Sequence, residues 1–224
     1  MRHLSLFFAF SFVGLLSACT QQPPSSSSTA TTNTQNSAAK GTISCASVDK
    51  IQAQHTEADL INLYGKENVV RDSLYAEGMA IAVATFIYKD KPEELEVQWR
   101  EGAEFKQIAA VRINQPNAPY TTENGIRIGT PIKDVEKLNG APLGFSGFGW
   151  DYGGGCCNYN NGKIPQSLPC FSMQLAITDP EPEKKVSEEA LMSVMGDQEV
   201  KSDNPVFDKV QASVVGLQIS FMGK

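Results

Sequence analysis

The segment TPIKDVEKLNG, residues 130–140, predicts a short amphipathic helix. Thr130 is a residue type that caps helix N-termini. Pro131 suits the first helical position, because its φ angle is fixed and the N–H it lacks is not needed there. Gly140 is expected to end the helix, since glycine readily adopts the left-handed conformation that follows many helices. The segment therefore carries both a start and a stop signal.

A second segment with the same punctuation, TEADLINLYG, covers residues 56–65. Thr56 is expected to cap this helix, and Asp59 lies at the third helical position, where it would complete a capping box. Gly65 is expected to end the helix. The sequence thus predicts two short helices of similar design.

The two predicted helices align when they are counted back from their terminal glycines, which lie 75 residues apart. Leu60 then corresponds to Val135, and Leu63 corresponds to Leu138. In each helix these two residues lie on one apolar face. The correspondence indicates an internal repeat.

Segments typical of strands follow both helices. They cover residues 79–88, 95–99, 108–113, 145–152, 171–177 and 214–221. A third helix is expected to begin after the cap residue Ser187 and to end at Gly196. The sequence therefore predicts an α+β fold of two tandem repeats, residues 43–118 and 119–224, each a helix followed by an antiparallel sheet.

Part of this pattern resembles a known group of proteins. The residues Gly129-Thr130-Pro131, Val135, Leu138, Gly140 and Pro142 resemble the helix-and-turn motif of small lipoproteins in the outer-membrane barrel-assembly machine. The doubled helix-plus-sheet layout is similar to that of β-lactamase inhibitor proteins. The cysteines, a long glycine-rich loop and the duplicated body depart from the assembly lipoproteins. The resemblance therefore implies a fold and no functional residue.

The chain begins with a basic residue, Arg2, followed by an apolar run from Leu4 to Leu16, which is the form of a secretory signal. The run ends Leu16-Ser17-Ala18-Cys19, which resembles the lipobox of bacterial lipoproteins. That resemblance implies cleavage before Cys19 by a dedicated signal peptidase and attachment of lipid to the Cys19 thiol. Residues 1–18 are thus expected to be a signal peptide. An ordinary secretory signal with a chance cysteine is the alternative.

The segment after the signal is dominated by small and polar residues, and Lys40 is its one charged residue. Such a composition buries too little apolar surface to fold, so residues 19–42 are expected to be a lipidated, disordered linker. Cys19 is followed by Thr20 and Gln21, and not by an aspartate. This resembles the pattern of lipoproteins of the enterobacterial type that are sorted to the outer membrane. We expect a lipid anchor in the outer membrane that holds the protein on the periplasmic side.

The charge of the chain argues against one class of partner. The formal net charge is −6, and cleavage before Cys19 would remove Arg2 and no acid. Binding to nucleic acid requires clustered Lys and Arg, so no nucleic acid partner is expected.

Four cysteines remain after Cys19, an even number that suits disulfides in an oxidising compartment. A bridge between the adjacent Cys156 and Cys157 would close a strained ring. We therefore expect them to pair separately, one with Cys170 and one with Cys45. A four-thiolate zinc site is the alternative, although the chain has no CxxC pair and we expect no metal.

Residues typical of catalysis are few. His55 is the one histidine after the signal, and its position just before a helix cap favours a turn role. The chain has no HExxH, GxSxG or P-loop pattern. We expect no enzymatic activity, no catalytic residue and no cofactor.

The most distinctive stretch is FSGFGWDYGGG, residues 145–155. In a strand, Phe148, Trp150 and Tyr152 would lie on one face, and we expect them to pack in the core. The alternative is a stripe that binds protein or a sugar ring. Trp150, Tyr152 and Tyr159 are therefore the candidate binding residues. Any interaction surface is otherwise expected on the loop of residues 153–169.

These features favour one function over three others. We expect a membrane-anchored periplasmic lipoprotein that binds an envelope protein and catalyses no reaction. A periplasmic inhibitor of a hydrolase, of the lysozyme or β-lactamase type, is the main alternative. An enzyme and a ligand carrier are the remaining classes.

Overall fold

The computed structural model describes residues 41–221, which form thirteen strands and four α-helices. The strands are β1 Thr42–Ile43, β2 Ser47–Val48, β3 Ile51–Gln52, β4 Val69–Ala76, β5 Met79–Ile87, β6 Leu95–Trp99, β7 Ile108–Ile113, β8 Thr121–Thr122, β9 Gly144–Ser146, β10 Cys156–Asn158, β11 Phe171–Ile177, β12 Glu199–Lys201 and β13 Ala212–Ser220. The α-helices are α1 Glu57–Tyr64, α2 Ile132–Asn139, α3 Ile164–Ser167 and α4 Glu188–Met192. This mixed content is that of an α+β fold.

A six-stranded antiparallel sheet is the largest element, with the order β11-β13-β7-β6-β5-β4. Two smaller sheets have the orders β3-β2-β1-β8 and β10-β9-β12. Strands β7 and β13 pair side by side, so the predicted halves, residues 43–118 and 119–224, contribute to one sheet.

The two faces of the large sheet differ in polarity because side chains alternate along each strand. One cross-strand row is apolar through all six strands and reads Met173, Leu217, Ile113, Leu95, Ile87 and Val69. The adjacent row begins with polar residues and reads Ser172, Gln218, Arg112 and Glu96. The apolar face packs in the core with α1 and α2, whose Leu60 and Val135 are fully buried. Part of the opposite face remains open to solvent.

The predicted α1 is confirmed with its capping box. The Thr56 hydroxyl accepts a hydrogen bond from the Asp59 N–H, and the Asp59 carboxylate accepts one from the Thr56 N–H at 2.8 Å. The Gly65 N–H donates to the Ile61 carbonyl and ends the helix. Leu63 was predicted to lie on the apolar face of this helix, but it is exposed.

The predicted α2 ends at Gly140 in the left-handed conformation, as expected, but the assignment of its start was wrong. Pro131 is the cap residue and Thr130 lies before it. The Thr130 hydroxyl closes a turn with Arg127, and the Thr130 carbonyl accepts a hydrogen bond from the Val214 N–H at 2.9 Å. The backbone of Thr130 therefore pairs with β13, and Thr130 does not cap the helix.

Two other boundaries also differ from the prediction. The Ser187 cap of α4 is confirmed, but α4 ends at Met192 and not at Gly196. The Gly196 N–H instead donates to the Phe148 carbonyl at 2.7 Å, and the Phe148 N–H donates to Val194. These bonds draw the chain after α4 against the segment that follows β9. The predicted strand over residues 145–152 consequently stops at Ser146.

The predicted signal peptide and Cys19 lie outside the described residues, as does the predicted linker up to Lys40. The first described strand begins at Thr42, the last residue of the predicted linker. Within residues 41–221, no helix is both long and apolar enough to cross a membrane.

Candidate functional site

Trp150 and Tyr152 lie at the surface, which corrects the prediction that they pack in the core. The exposed fraction is 36% for Trp150 and 68% for Tyr152, whereas Phe148 is buried. The rings of Trp150 and Tyr152 meet edge to face with centroids 5.3 Å apart. The Trp150 Nε1–H donates to the Gly147 carbonyl at 2.8 Å. The two aromatic residues thus form a braced pair outside the core.

Glycine conformation explains why the alternating pattern fails here. Gly149 has φ +86°, outside the range of an extended strand, so Phe148 and Trp150 do not share a face. Gly154 also has a positive φ of +76°. Its N–H donates to the Ser146 carbonyl at 2.7 Å, and its carbonyl accepts from the Leu175 N–H at 2.8 Å. The segment therefore forms a tight turn that is fixed against β11.

Tyr159, the third candidate binding residue, is placed differently. It is half-buried and packs against the core. Its carbonyl accepts a hydrogen bond from the buried side chain of Asn139 at 2.8 Å. The structure therefore brings Trp150 and Tyr152 together and gives Tyr159 a packing role.

The predicted disulfide pairing was wrong, because Cys45 is bonded directly to Cys170. Cys45 lies in the turn between β1 and β2, and Cys170 immediately precedes β11. The fold brings their Cα atoms to 5.6 Å. Cys156 lies in β10, opposite Phe145 of β9. Cys45 and Cys170 were both expected to form disulfides, but each was assigned a partner on β10.

Two further expectations concern polar chemistry. His55 lies in the predicted turn, where its Nδ1 accepts a hydrogen bond from the Gln52 N–H at 3.2 Å. Among the residues that the structure describes, no three His, Cys, Asp or Glu side chains are grouped so that they could hold a metal ion.

Strand β5 was predicted as residues 79–88, but its partner β4 was not, and so the exposed apolar hairpin that the two strands form was missed. Its tight turn consists of Glu77 and Gly78, both with positive φ, as in the common two-residue hairpin turn. Residues 75–83 are all exposed, including Tyr75 at 67% and Ile81 at 62%. Seven of these nine residues are apolar. The signal that could have revealed the hairpin is the unbroken apolar run 79–84, which lacks the alternation of a strand with one solvated face.

The edge of β5 that faces away from β4 is only partly paired. Strand β6 pairs with β5 at residues 85–87, and within the described chain no strand pairs with this edge from Met79 to Val83. An open groove of about 550 Å³ lies beside that edge. Its borders include Ile81, Val83, Trp99, Glu101, Glu104 and Phe105.

A polar cluster at the base of the hairpin fixes the far wall of this groove. The Glu57 carboxylate accepts hydrogen bonds from Arg71 of β4 and from the Thr85 hydroxyl of β5, the latter at 2.8 Å. The bond from Arg71 holds the pKa of Glu57 below its ordinary value. The Arg71 guanidinium also lies 3.7 Å from the centre of the Phe105 ring, and the Phe105 carbonyl accepts from the Glu57 N–H. The turn that carries Phe105 is thereby tied to both α1 and the hairpin.

Comparisons with known proteins add one distant likeness. No protein-family profile matches the chain, and no curated protein sequence matches it. One solved structure, the uncharacterized protein yfeY from Escherichia coli, is similar over 81% of this chain and 99% of its own length. The sequence identity is 14% and the TM-score is 0.41.

Proposed function

We propose that this chain is the precursor of a bacterial lipoprotein whose folded part binds another protein of the cell envelope without catalysing a reaction. In this proposal Cys19 carries the lipid, and the anchor lies in the outer membrane on its periplasmic side. The observation that carries the binding function is the exposed apolar hairpin of β4 and β5 with its unpaired edge.

The exposure of apolar side chains on β5 favours a surface that a partner protein covers. A side chain such as Val or Ile gains about 1.5–3 kcal/mol when it leaves water. Met79, Ile81 and Val83 alternate along β5, and all three are exposed. Grouped exposed apolar residues of this kind mark interaction sites in soluble proteins.

The backbone of β5 supports a specific mode of binding. An unpaired strand edge presents N–H and C=O groups that another extended chain can pair with. The partner segment that fits is therefore an added strand, with main-chain hydrogen bonds for affinity and alternate side chains for specificity.

Charge further defines the partner segment. Glu77 lies at one end of the open edge. At the other end the groove is bordered by Arg100 as well as Glu101 and Glu104, and Glu104 is paired with Lys106 at 3.1 Å. Residues 79–87 of β5 contain no charged side chain. The occupant we propose is an extended, apolar segment of another envelope protein with a basic residue at the end that meets Glu77.

A photo-crosslinking amino acid at position 81 of the full chain in living cells tests this binding mode. The expected product is one heterologous crosslink whose peptide is apolar and basic at an end. Position 192, an exposed methionine on α4, is the matched control and should give no such product. Val83→Lys should abolish the crosslink from position 81. Crosslinks only to a second copy of the chain, or none, would contradict the proposal.

The anchor has a separate test. Fatty-acid labelling should mark the wild-type chain and not the Cys19→Ala variant, and fractionation should place the labelled protein in the outer membrane. Equal labelling of both forms would refute lipidation at Cys19. This result does not depend on the hairpin.

A hydrolase inhibitor is the second candidate, because the same hairpin could enter a cleft. Its tip is narrow, with only Glu77 and Gly78 between the strands. Inhibition of a lysozyme or β-lactamase by the purified chain, lost in Ile81→Lys and kept in Met192→Lys, would favour this function over a stable envelope complex.

We also propose that the described fold consists of two tandem repeats. Two observations support this repeat. Helices α1 and α2 both end at a glycine, and each helix is followed along the chain by strands of the same six-stranded sheet. Residues 43–118 and 119–224 remain the proposed repeat units.

A further inference from the structure

The solvent-facing side of the large sheet carries a small groove lined by both polar and apolar groups, remote from the β5 edge in the strand order. Its volume is about 240 Å³, and strands β7, β13 and β11 form its floor. The turn that bears Tyr152 forms one wall. The side chains that matter for its chemistry are Arg112, Asn114, Asp151, Tyr152, Gln174 and Gln218.

A glycine on the floor of this groove lets two polar side chains pack closely over a strand. Gly216 lies in β13 opposite Gln174 of β11. A methyl group at position 216 would lie 3.1 Å from the Asn114 Oδ1 atom and 3.3 Å from the Gln174 Cβ atom. Glycine inside a strand is unfavourable for the sheet and often marks a place where another group approaches the backbone. Gly216 therefore lets the polar side chains of Asn114 and Gln174 lie close to the backbone of a central strand, on the floor of the groove.

The aromatic wall is held in place before any ligand arrives. Tyr152 packs edge to face on Trp150, which is itself hydrogen-bonded to Gly147. The Gln174 side chain donates to the Gly153 carbonyl at 3.1 Å, which ties the turn to the floor. These contacts reduce the conformational entropy that is lost when a ligand contacts Tyr152.

The polar lining suits hydroxyl groups. Asn114, Gln174 and Gln218 carry side-chain amides, whereas Arg112 only donates and Asp151 only accepts. The amides of Gln174 and Gln218 already donate one hydrogen bond each, to the Gly153 carbonyl and the Ser220 hydroxyl, and each keeps a second N–H and an acceptor oxygen. The groove therefore holds both kinds of group within a small volume, beside an exposed ring. A sugar ring presents the same combination, with hydroxyls at its edge and a C–H face that packs on an aromatic ring.

The charges in the groove favour a neutral ligand. Arg112 lies 3.9 Å from the Glu96 carboxylate, which offsets part of its positive charge. Asp151 adds a negative charge at the rim. An anionic group would gain little here, because no cation is left without a nearby acid among the residues that line the groove.

We propose that this groove binds one ring of a neutral oligosaccharide, which stacks on Tyr152 and hydrogen-bonds to Asn114, Gln174 and Gln218. The volume is close to the lower end of small-molecule sites, about 300 Å³, which fits a single ring of a chain that continues into solvent. This site is independent of the protein-binding hairpin.

Saturation-transfer NMR on the full chain, purified in a detergent without a sugar headgroup, tests the proposal. The probes are the tetramer of β-1,4-linked N-acetylglucosamine, cellotetraose and maltotetraose. At least one should bind below about 10 mM, and its C–H protons should receive the strongest transfer. Tyr152→Ala should weaken binding about ten-fold, and Tyr152→Phe should retain it.

Tyr75→Ala is the matched control, because Tyr75 is as exposed as Tyr152 but lies on the hairpin. It should leave the affinity unchanged. Gly216→Ala, whose methyl group would displace Asn114 and Gln174, should weaken binding while a thermal melt reports whether the sheet is intact. The proposal is overturned if no neutral tetrasaccharide binds, if Tyr152→Ala binds as well as wild type, or if inorganic phosphate or trigalacturonic acid binds more tightly.

Discussion

Cys45 is joined to Cys170 across 125 residues of sequence, and the bond ties the β1–β2 turn to the start of β11. The Cys170 N–H also lies 3.3 Å from the Cys45 sulfur. The crosslink encloses α1, α2 and most of the large sheet. It therefore restricts the unfolded chain far more than a bridge between neighbours in sequence would.

The first prediction concerns this bond. The double variant Cys45→Ser, Cys170→Ser should lose about 3–5 kcal/mol of unfolding free energy, the range for a loop of this length. Urea melts of the unreduced proteins measure the loss. A reductant should then have a smaller effect on the variant than on the wild type. Equal midpoints for the two proteins would contradict the pairing.

The second prediction concerns the pH dependence of the Glu57–Arg71 pair. The bond from Arg71 lowers the pKa of Glu57 from its ordinary value of 4.5. The pair therefore stabilises the fold above that value, and the contribution is lost as the pH falls through the lower folded-state pKa. Because Arg71 is half exposed, Glu57→Gln should cost about 1 kcal/mol at neutral pH and less in acid.

A double-mutant cycle checks this assignment. Glu57→Gln and Arg71→Gln should be less than additive at pH 7, and the coupling should shrink at pH 3. An unchanged coupling across that range would mean that packing of Arg71 on Phe105, and not charge, stabilises the contact.

Helix α1 and several strands could be predicted because their signals are local. The capping box of Thr56 and Asp59 and the stop at Gly65 depend on residues within one segment. Strands β6, β7 and β11 were predicted with their observed ends. In each case apolar residues recur along a segment that is bounded by turn residues.

The missed parts depend on residues that are distant in sequence. Strand β4 contains Arg71, Asp72 and Ser73 and forms only by pairing with β5 at the exposed edge of the sheet. The disulfide partner of Cys45 depends in the same way on the final fold. For the groove, Tyr152 was named from sequence, but Gln174 and Gln218 reach it from separate strands and carry no local signal.

The third prediction contrasts two aromatic residues that the sequence pattern treated alike. Phe148 is buried and contacts the rings of Phe145 and Phe207, so Phe148→Ala should cost about 3–5 kcal/mol. Trp150 is partly exposed, and its truncation should cost only about 1 kcal/mol. Denaturant melts of both variants measure the difference. Equal losses would place Trp150 in the core after all.

The last prediction separates backbone strain from steric overlap at two glycines. Gly154 and Gly78 have nearly the same φ, +76° and +77°. A methyl group at Gly154 would overlap the carbonyl oxygen of Leu175, whereas one at Gly78 would meet no atom within 4 Å. Gly78→Ala should therefore cost about 1–2 kcal/mol, the penalty of an alanine in the left-handed region. Gly154→Ala should cost about 3 kcal/mol or more, because the turn must also move away from β11.

That movement would shift Tyr152, so Gly154→Ala should change the Tyr152 ring resonances in an NMR spectrum and Gly78→Ala should not. Equal stability of the two variants would mean that the turn is not packed against Leu175.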